Sequence, residues 1–80
     1  MTREQVLGEV QDIFRDLFDD DSIVISDDMT ADDIEDWDSL EHINLITSIE
    51  KHFSIKFAMS EVTHFKDIGN MIDTIAAKVS

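Results

Sequence analysis

The apolar residues of this chain fall into groups whose spacing changes along its length. Val6, Leu7, Val10, Ile13, Phe14, Leu17 and Phe18 recur at steps of three and four, and Gln11, Asp12 and Arg15 fall off that stripe. This is the periodicity of one face of a helix, and it predicts a helix over about 3–18. Thr2 is suited to cap it, with Gln5 three residues on as the reciprocal partner. A second group, Leu40, Ile43, Leu45, Ile46, Ile49 and Phe53, makes a broad apolar arc over about 39–53. So wide an arc predicts a central helix that touches several neighbours. Asp38 is its expected N-cap, with Glu41 at the reciprocal position. Glu41, Asn44, Ser48 and Lys51 share the opposite side, expected to face solvent, and Leu40 is expected to pack beneath the cap.

Between these helices, residues 19–37 read as a long loop, because Asp-rich sequence favours turns over helix interiors. Ile23, Val24, Ile25, Met29, Ile34 and Trp37 are apolar and predict that the loop is pinned to the core. Phe53, Ile55 and Phe57 alternate, but one extended run without a partner forms no sheet. Ser60 is placed to cap a short helical turn through Phe65. Asp67 is placed to cap a last helix with Ile68, Met71, Ile72, Ile75, Ala76 and Val79 on its inner face. The fold class expected is all-α: a small four-helix bundle, three main helices and one short, with a long acidic loop between helices one and two. No repeat or linker divides it, so 1–80 reads as a single domain.

Composition narrows what such a bundle does. Eighty residues, 42% of them hydrophobic, suffice for a core but not for a deep catalytic cleft around a substrate. Six basic residues against nineteen acidic ones give a net charge of −13. That excludes a general nucleic-acid binder and argues against docking on anionic membranes. Residues 16–41 hold twelve of the acids and no Lys or Arg, and the rest of the chain nets −1. The segment is either a solvated loop or a surface that steers basic partners. No Cys is present, so any thiol chemistry needs an imported thiol. There is no long apolar run, and Met1-Thr2-Arg3-Glu4 lacks the apolar core of a signal peptide. A soluble, cytoplasmic monomer without stable membrane insertion is expected.

The candidate chemistry lies at Asp36-Trp37-Asp38-Ser39-Leu40-Glu41, where the acidic loop meets the central helix. With Asp38 as N-cap, Ser39 falls in the first turn, where backbone N–H groups are unpaired and the macrodipole is positive. A phosphoester there is favoured by the physics that places anions at helix starts. Other readings carry less. Ser39 and His42 suggest a nucleophile and base, but no Gly-rich oxyanion site accompanies them. Asp19, Asp20 and Asp21 suggest calcium, yet the places an EF-hand loop reserves for Gly and Glu hold Val24 and Thr30. No dedicated metal site is expected. His52 and His64 read as surface or partly packed, and the internal methionines as packing. Trp37 reads as an anchor for the loop.

Taken together, the Asp38-Ser39-Leu40 motif, the long acidic loop and the helix ending Glu50-Lys51-His52-Phe53 resemble the acyl carrier protein family. The similarity continues through Ile55-Lys56-Phe57 and Ile72-Asp73-Thr74-Ile75, over essentially the whole chain. It implies a 4′-phosphopantetheine arm on Ser39, installed from coenzyme A by a phosphopantetheinyl transferase with magnesium. Asp38 and Leu40 would flank the attachment point, with Asp38 part of the transferase recognition site. The arm's thiol would hold an acyl or aminoacyl group as a thioester, and the chain itself would catalyse nothing. Acyl-loading and acyl-processing enzymes with basic docking surfaces are the implied partners. Glu41 and Glu50 would be the acidic contacts, and Ile43, Ile46 and Thr47 the apolar ones. Fatty acid biosynthesis and lipid metabolism are the pathways most associated with such carriers. Asn44, Lys51 and Trp37 depart from the fatty-acid carriers, and the Trp-Asp-Ser start resembles D-alanyl and other specialised carriers. The alternative from another class is an acidic helical interaction module without a prosthetic group.

Overall fold

The structure is a computed structural model, and it describes residues 2–34, 37–63, 65 and 67–79. The expected positions Glu35, Asp36, His64 and Lys66 lie outside the described residues, as do Met1 and Ser80. Helix α1 spans Arg3–Leu17, α2 Ser39–Phe53, α3 Met59–Thr63 and α4 Ile68–Val79, with no strand among the described residues. The all-helical, four-helix expectation therefore holds. Phe53, Ile55 and Phe57 alternate through the end of α2 and an extended connection.

Local signals account for the helix ends. The Thr2 hydroxyl accepts from the Gln5 N–H (3.2 Å) while the Gln5 amide oxygen accepts from the Thr2 N–H (2.8 Å), a completed capping box. At the other end of α1, Asp19 takes a left-handed conformation (φ 50°) and the Asp20 N–H returns to the Arg15 carbonyl. Helix α2 ends in the same way, with Ser54 at φ 56° and the Ile55 N–H on the Glu50 carbonyl. Asp67 caps α4 by accepting the Asn70 N–H at 2.8 Å. Helix α3 begins one residue before the expected cap, so Ser60 lies inside it. The Glu61 carboxylate accepts the Ala58 N–H at 2.7 Å and caps the helix start.

The core is assembled by the stripes of α1, α2 and α4. Val6, Val10 and Phe14, Leu45 and Ile49, and Ile68, Met71, Ile72 and Ile75 are almost wholly buried. Each such side chain contributes about 1.5–3 kcal/mol on leaving water. The segment between α1 and α2 adds Ile25 and Trp37 to this core. It also contains a 3₁₀ turn, Ala31–Asp33, where the sequence reads as loop. The turn is built on Thr30 and Asp33: the Asp33 carboxylate accepts the Thr30 N–H (2.9 Å) and the Thr30 hydroxyl accepts the Asp32 N–H (3.3 Å). Val24, expected to pin this segment, is instead 68% exposed.

Three polar side chains from α1 hold the segment, two of them by its backbone. The Arg15 Nε donates to the Ile23 carbonyl (2.8 Å), and the Gln11 side-chain oxygen accepts the Ile25 N–H (3.1 Å). Further along, the Met29 and Asp27 carbonyls accept the first N–H groups of α4, from Ile68 and Gly69, both at 2.9 Å. Groups that every helix start leaves unpaired are thus satisfied by the loop backbone. Arg3 closes the arrangement, reaching Asp73 (2.6 Å), both Asp27 carboxylate oxygens (3.1 Å) and the Gly69 carbonyl (3.2 Å). This close approach requires glycine at 69: a Cβ there would lie 2.9 Å from the Asp27 carbonyl oxygen and 3.0 Å from its Cβ.

The two glycines should therefore respond oppositely to alanine. Gly8 is exposed on α1 with nothing within 4 Å of an added Cβ. Gly8→Ala should raise unfolding free energy by about 0.5–1 kcal/mol. Gly69→Ala should lower it, since overpacking against backbone costs about 1–3 kcal/mol and exceeds the gain in helix propensity. Urea unfolding of the two variants checks both signs.

Candidate functional site

The site is built where the pinned segment becomes α2. Trp37 is 8% exposed, with its ring edge-on to Phe14 at 5.3 Å between centroids. Phe14 in turn packs on Phe18. Asp38 follows in extended conformation, and its carboxylate accepts the Glu41 N–H at 2.9 Å. The Asp38 carbonyl takes the first helical bond, from the His42 N–H. Ser39 is then the first helical residue, and it is exposed. The cap at Asp38 is as the sequence predicts. The reciprocal half is not: the Glu41 carboxylate turns to the Asn44 side-chain amide (3.3 Å) instead of the cap's N–H.

Beside Ser39 lies an open groove of about 480 Å³ lined by Trp37, Asp38, Ser39, His42 and Ile43. His42 is half-buried and stacks on Trp37. The Trp37 indole N–H donates to His42 Nδ1 at 3.3 Å. That nitrogen is thus committed to Trp37, and Ser39 and His42 make no nucleophile–base pair. Burial holds the His42 pKa below its ordinary value of 6.5. Among the described residues no cluster of His, Cys, Asp or Glu has the makings of a metal site.

The apolar arc of α2 divides in two. Leu45, Ile46 and Ile49 are buried, whereas Leu40 and Ile43 are 66% and 63% exposed. The expectation that Leu40 packs beneath the cap is therefore wrong. Leu40 belongs neither to the core nor to the partly buried side chains packed on it, so it stands in water. Thr47 is exposed, with its hydroxyl on the Ile43 carbonyl. The solvent side expected for Glu41, Asn44, Ser48 and Lys51 is also mixed: Asn44 and Lys51 are exposed, Glu41 and Ser48 half-buried. Glu50 is half-buried and accepts the Phe57 N–H at 2.9 Å, which fixes the chain leaving α2. Of the partner-facing candidates, the structure thus brings Ile43 and Thr47 to the open surface near Ser39 with Glu41 alongside. Ile46 faces inward, and Glu50 has a bond within the fold. The Trp37–His42 pair is absent from the sequence reading; its only signal is two ring-bearing residues flanking a cap five positions apart.

Residues 8–75 match the family model described as the phosphopantetheine attachment site. That segment holds the whole cap and Ser39. The chain belongs to the acyl carrier protein family. The solution NMR structure of a holo acyl carrier protein from Geobacter metallireducens is 46% identical to it. That structure superposes with a TM-score of 0.88, over 92% of this chain and 85% of that one. No curated protein sequence matches the chain. Its function is that of an acyl carrier with a 4′-phosphopantetheine prosthetic group, a carrier of substrates rather than an enzyme. Its interactions are with phosphopantetheinyl transferase and biosynthetic enzymes in general. No helix among the described residues is long and apolar enough to cross a membrane.

The residues at the cap suit this group. An exposed hydroxyl on the first turn of a 15-residue helix offers an attachment oxygen at the positive end of the macrodipole. The adjoining groove is within the size range of small-molecule sites, and it offers Trp37 and Ile43 as apolar walls.

The lowered His42 pKa fixes the sign of a pH dependence. The folded state binds its proton less readily than the unfolded chain, so its contribution to stability is complete above 6.5. It is lost as pH falls from there through the folded-state value. His42→Gln, which retains an acceptor for Trp37 but does not titrate, should flatten stability against pH between about 5.5 and 7. Urea unfolding across that range, followed by Trp37 fluorescence, measures the difference.

Proposed function

We propose that the carrier holds its arm on the Ser39 hydroxyl, and that the first turns of α2 are read by the enzymes it serves. The single observation that carries this reading is the exposed Ser39 at the start of a helix capped by Asp38, beside the groove. The holo state of the similar Geobacter protein supports an arm on this chain too. When bound, 4′-phosphopantetheine supplies a terminal thiol that holds an acyl or aminoacyl group as a thioester. This chain's own residues do the rest. Asp38 holds the helix start together by neutralising the Glu41 N–H. Trp37 closes the inner side of the groove, so the serine is presented outward.

Leu40, Ile43 and Thr47 lie on one exposed face of α2, with Glu41 beside them. This is the surface assigned to the transferase and to loading and processing enzymes. An apolar strip of two or three residues rimmed by carboxylates suits transient contact with a basic surface. Ile46 and Glu50 contribute indirectly, Ile46 by seating the helix and Glu50 by fixing its exit. Presenting a tethered substrate raises its effective concentration at each partner without any new contact. The twelve acids of 16–41 add a long-range field that speeds encounter at low salt.

Intact mass after incubation with coenzyme A, magnesium and a broad-specificity phosphopantetheinyl transferase tests the attachment. A gain of one phosphopantetheine is expected, with none in Ser39→Ala of unchanged circular dichroism. A gain that persists in Ser39→Ala would move the site elsewhere, and no gain with several transferases would contradict the reading. Asp38→Ala should lose about 1 kcal/mol of stability with its cap and accept the arm more slowly. Glu41→Lys should slow transfer at low ionic strength and leave it little changed at high salt. Initial rates at two salt concentrations give the comparison.

A further inference from the structure

The groove beside Ser39 holds one polar side chain whose role the carrier reading leaves open. His42 stands three residues after Ser39, one helical turn on, and both line the groove. An indole N–H can only donate. Its bond to His42 Nδ1 therefore makes that nitrogen an acceptor and places the proton of the neutral imidazole on Nε2. Trp37 is itself immobilised, buried to 8% exposure and seated against Phe14 at 5.3 Å. The orientation of the His42 ring and its tautomer are thus both set by a residue packed in the core. Nε2 makes no hydrogen bond to another described residue, so a donor of known identity is left over in the groove.

The geometry points to His42 as a positioning residue for the arm: its Nε2–H donates to the phosphodiester formed on Ser39, while Trp37 holds its Nδ1. This rests on the reading that Ser39 carries the arm. The contact would hold the first linkage of an otherwise flexible chain against the Trp37 and Ile43 walls, and so bias the direction in which the thiol leaves the groove. Among the described residues, the charged groups beside His42 are these. From the loop it meets Trp37 and the carboxylate of Asp38, which lines the same groove. From α2 it meets uncharged Ser39 and Ile43, with Glu41 beside it turned to Asn44. From α1, uncharged Phe14 packs on Trp37. A phosphodiester stays ionised at any pH near neutrality, so placing one against the ring favours the imidazolium. In the protein without the arm two things oppose that charge: burial, and the Trp37 N–H, whose bond to Nδ1 the imidazolium gives up.

The test compares the protein before and after attachment, with intact mass and peptide mapping first placing the arm on Ser39. Imidazole ¹⁵N shifts of the unmodified protein should show neutral His42 protonated on Nε2. On attachment its proton affinity should rise about tenfold. The ³¹P signal of the phosphodiester should titrate at the same midpoint and become pH-independent from 5 to 8 in His42→Gln. A purely structural role for the Trp37–His42 pair would leave the ³¹P signal flat in both proteins. A neutral tautomer protonated on Nδ1, or a midpoint unmoved by attachment, overturns the proposal while the carrier reading stands. An arm found on another residue removes both.

Discussion

The indole of Trp37, packed edge-on against Phe14, is the point at which a strongly charged segment becomes the start of a helix. Asp38, Ser39 and the groove lie directly beside it. The forces at that point oppose each other. Twelve carboxylates between residues 16 and 41 repel, but the described ones stand mostly in water, where a pair 4 Å apart interacts by only about 1 kcal/mol and salt screens beyond about 10 Å. Burying a single large aromatic side chain offsets several such pairs. Two further ties, from Arg15 and Gln11, act on backbone groups and leave the acids free in solvent. The segment is thereby held by its backbone, its few apolar side chains and the Arg3–Asp27 ion pair, and most of its described carboxylates stay exposed.

The same economy shapes α2. Its inner residues, Leu45 and Ile49, join the core, while Leu40 and Ile43 nearer its start stand in water. Two exposed apolar side chains thus stand near Ser39. In the proposed reading they form the apolar centre of a transient interface, with carboxylates beside it.

Much of this was legible in the residues. Thr2 with Gln5, Asp38, and Asp67 mark helix starts because their side chains match the N–H groups a helix leaves unpaired. The stripes of α1 and α4 follow because one face of each must leave water. Ser39 stood out for the same reason, as the residue after a cap. What was not legible depends on where neighbours end. Leu40 and Val24 are apolar by type, but no element reaches them, and periodicity cannot register a missing neighbour. Glu41 has two partners at similar reach, the cap's own N–H and the Asn44 amide, and local pattern does not choose between them. Glu50 reads as surface charge, yet the chain turns at Ser54 and brings the Phe57 N–H back to it. The Trp37–His42 bond needs the depth at which Trp37 is buried, a tertiary quantity.

The central claim is that Trp37, by its seat on Phe14, preforms the helix start on which Ser39 is displayed. Amide hydrogen exchange in the protein without its arm tests it most directly. The Glu41 N–H, bonded to Asp38, should exchange more slowly than the Leu40 N–H one residue earlier. In Trp37→Leu that protection should be lost while the Ile49 amide, deep in α2, keeps its own. Glu41 protection that is unchanged in Trp37→Leu would contradict the claim and show that the cap stands without the indole.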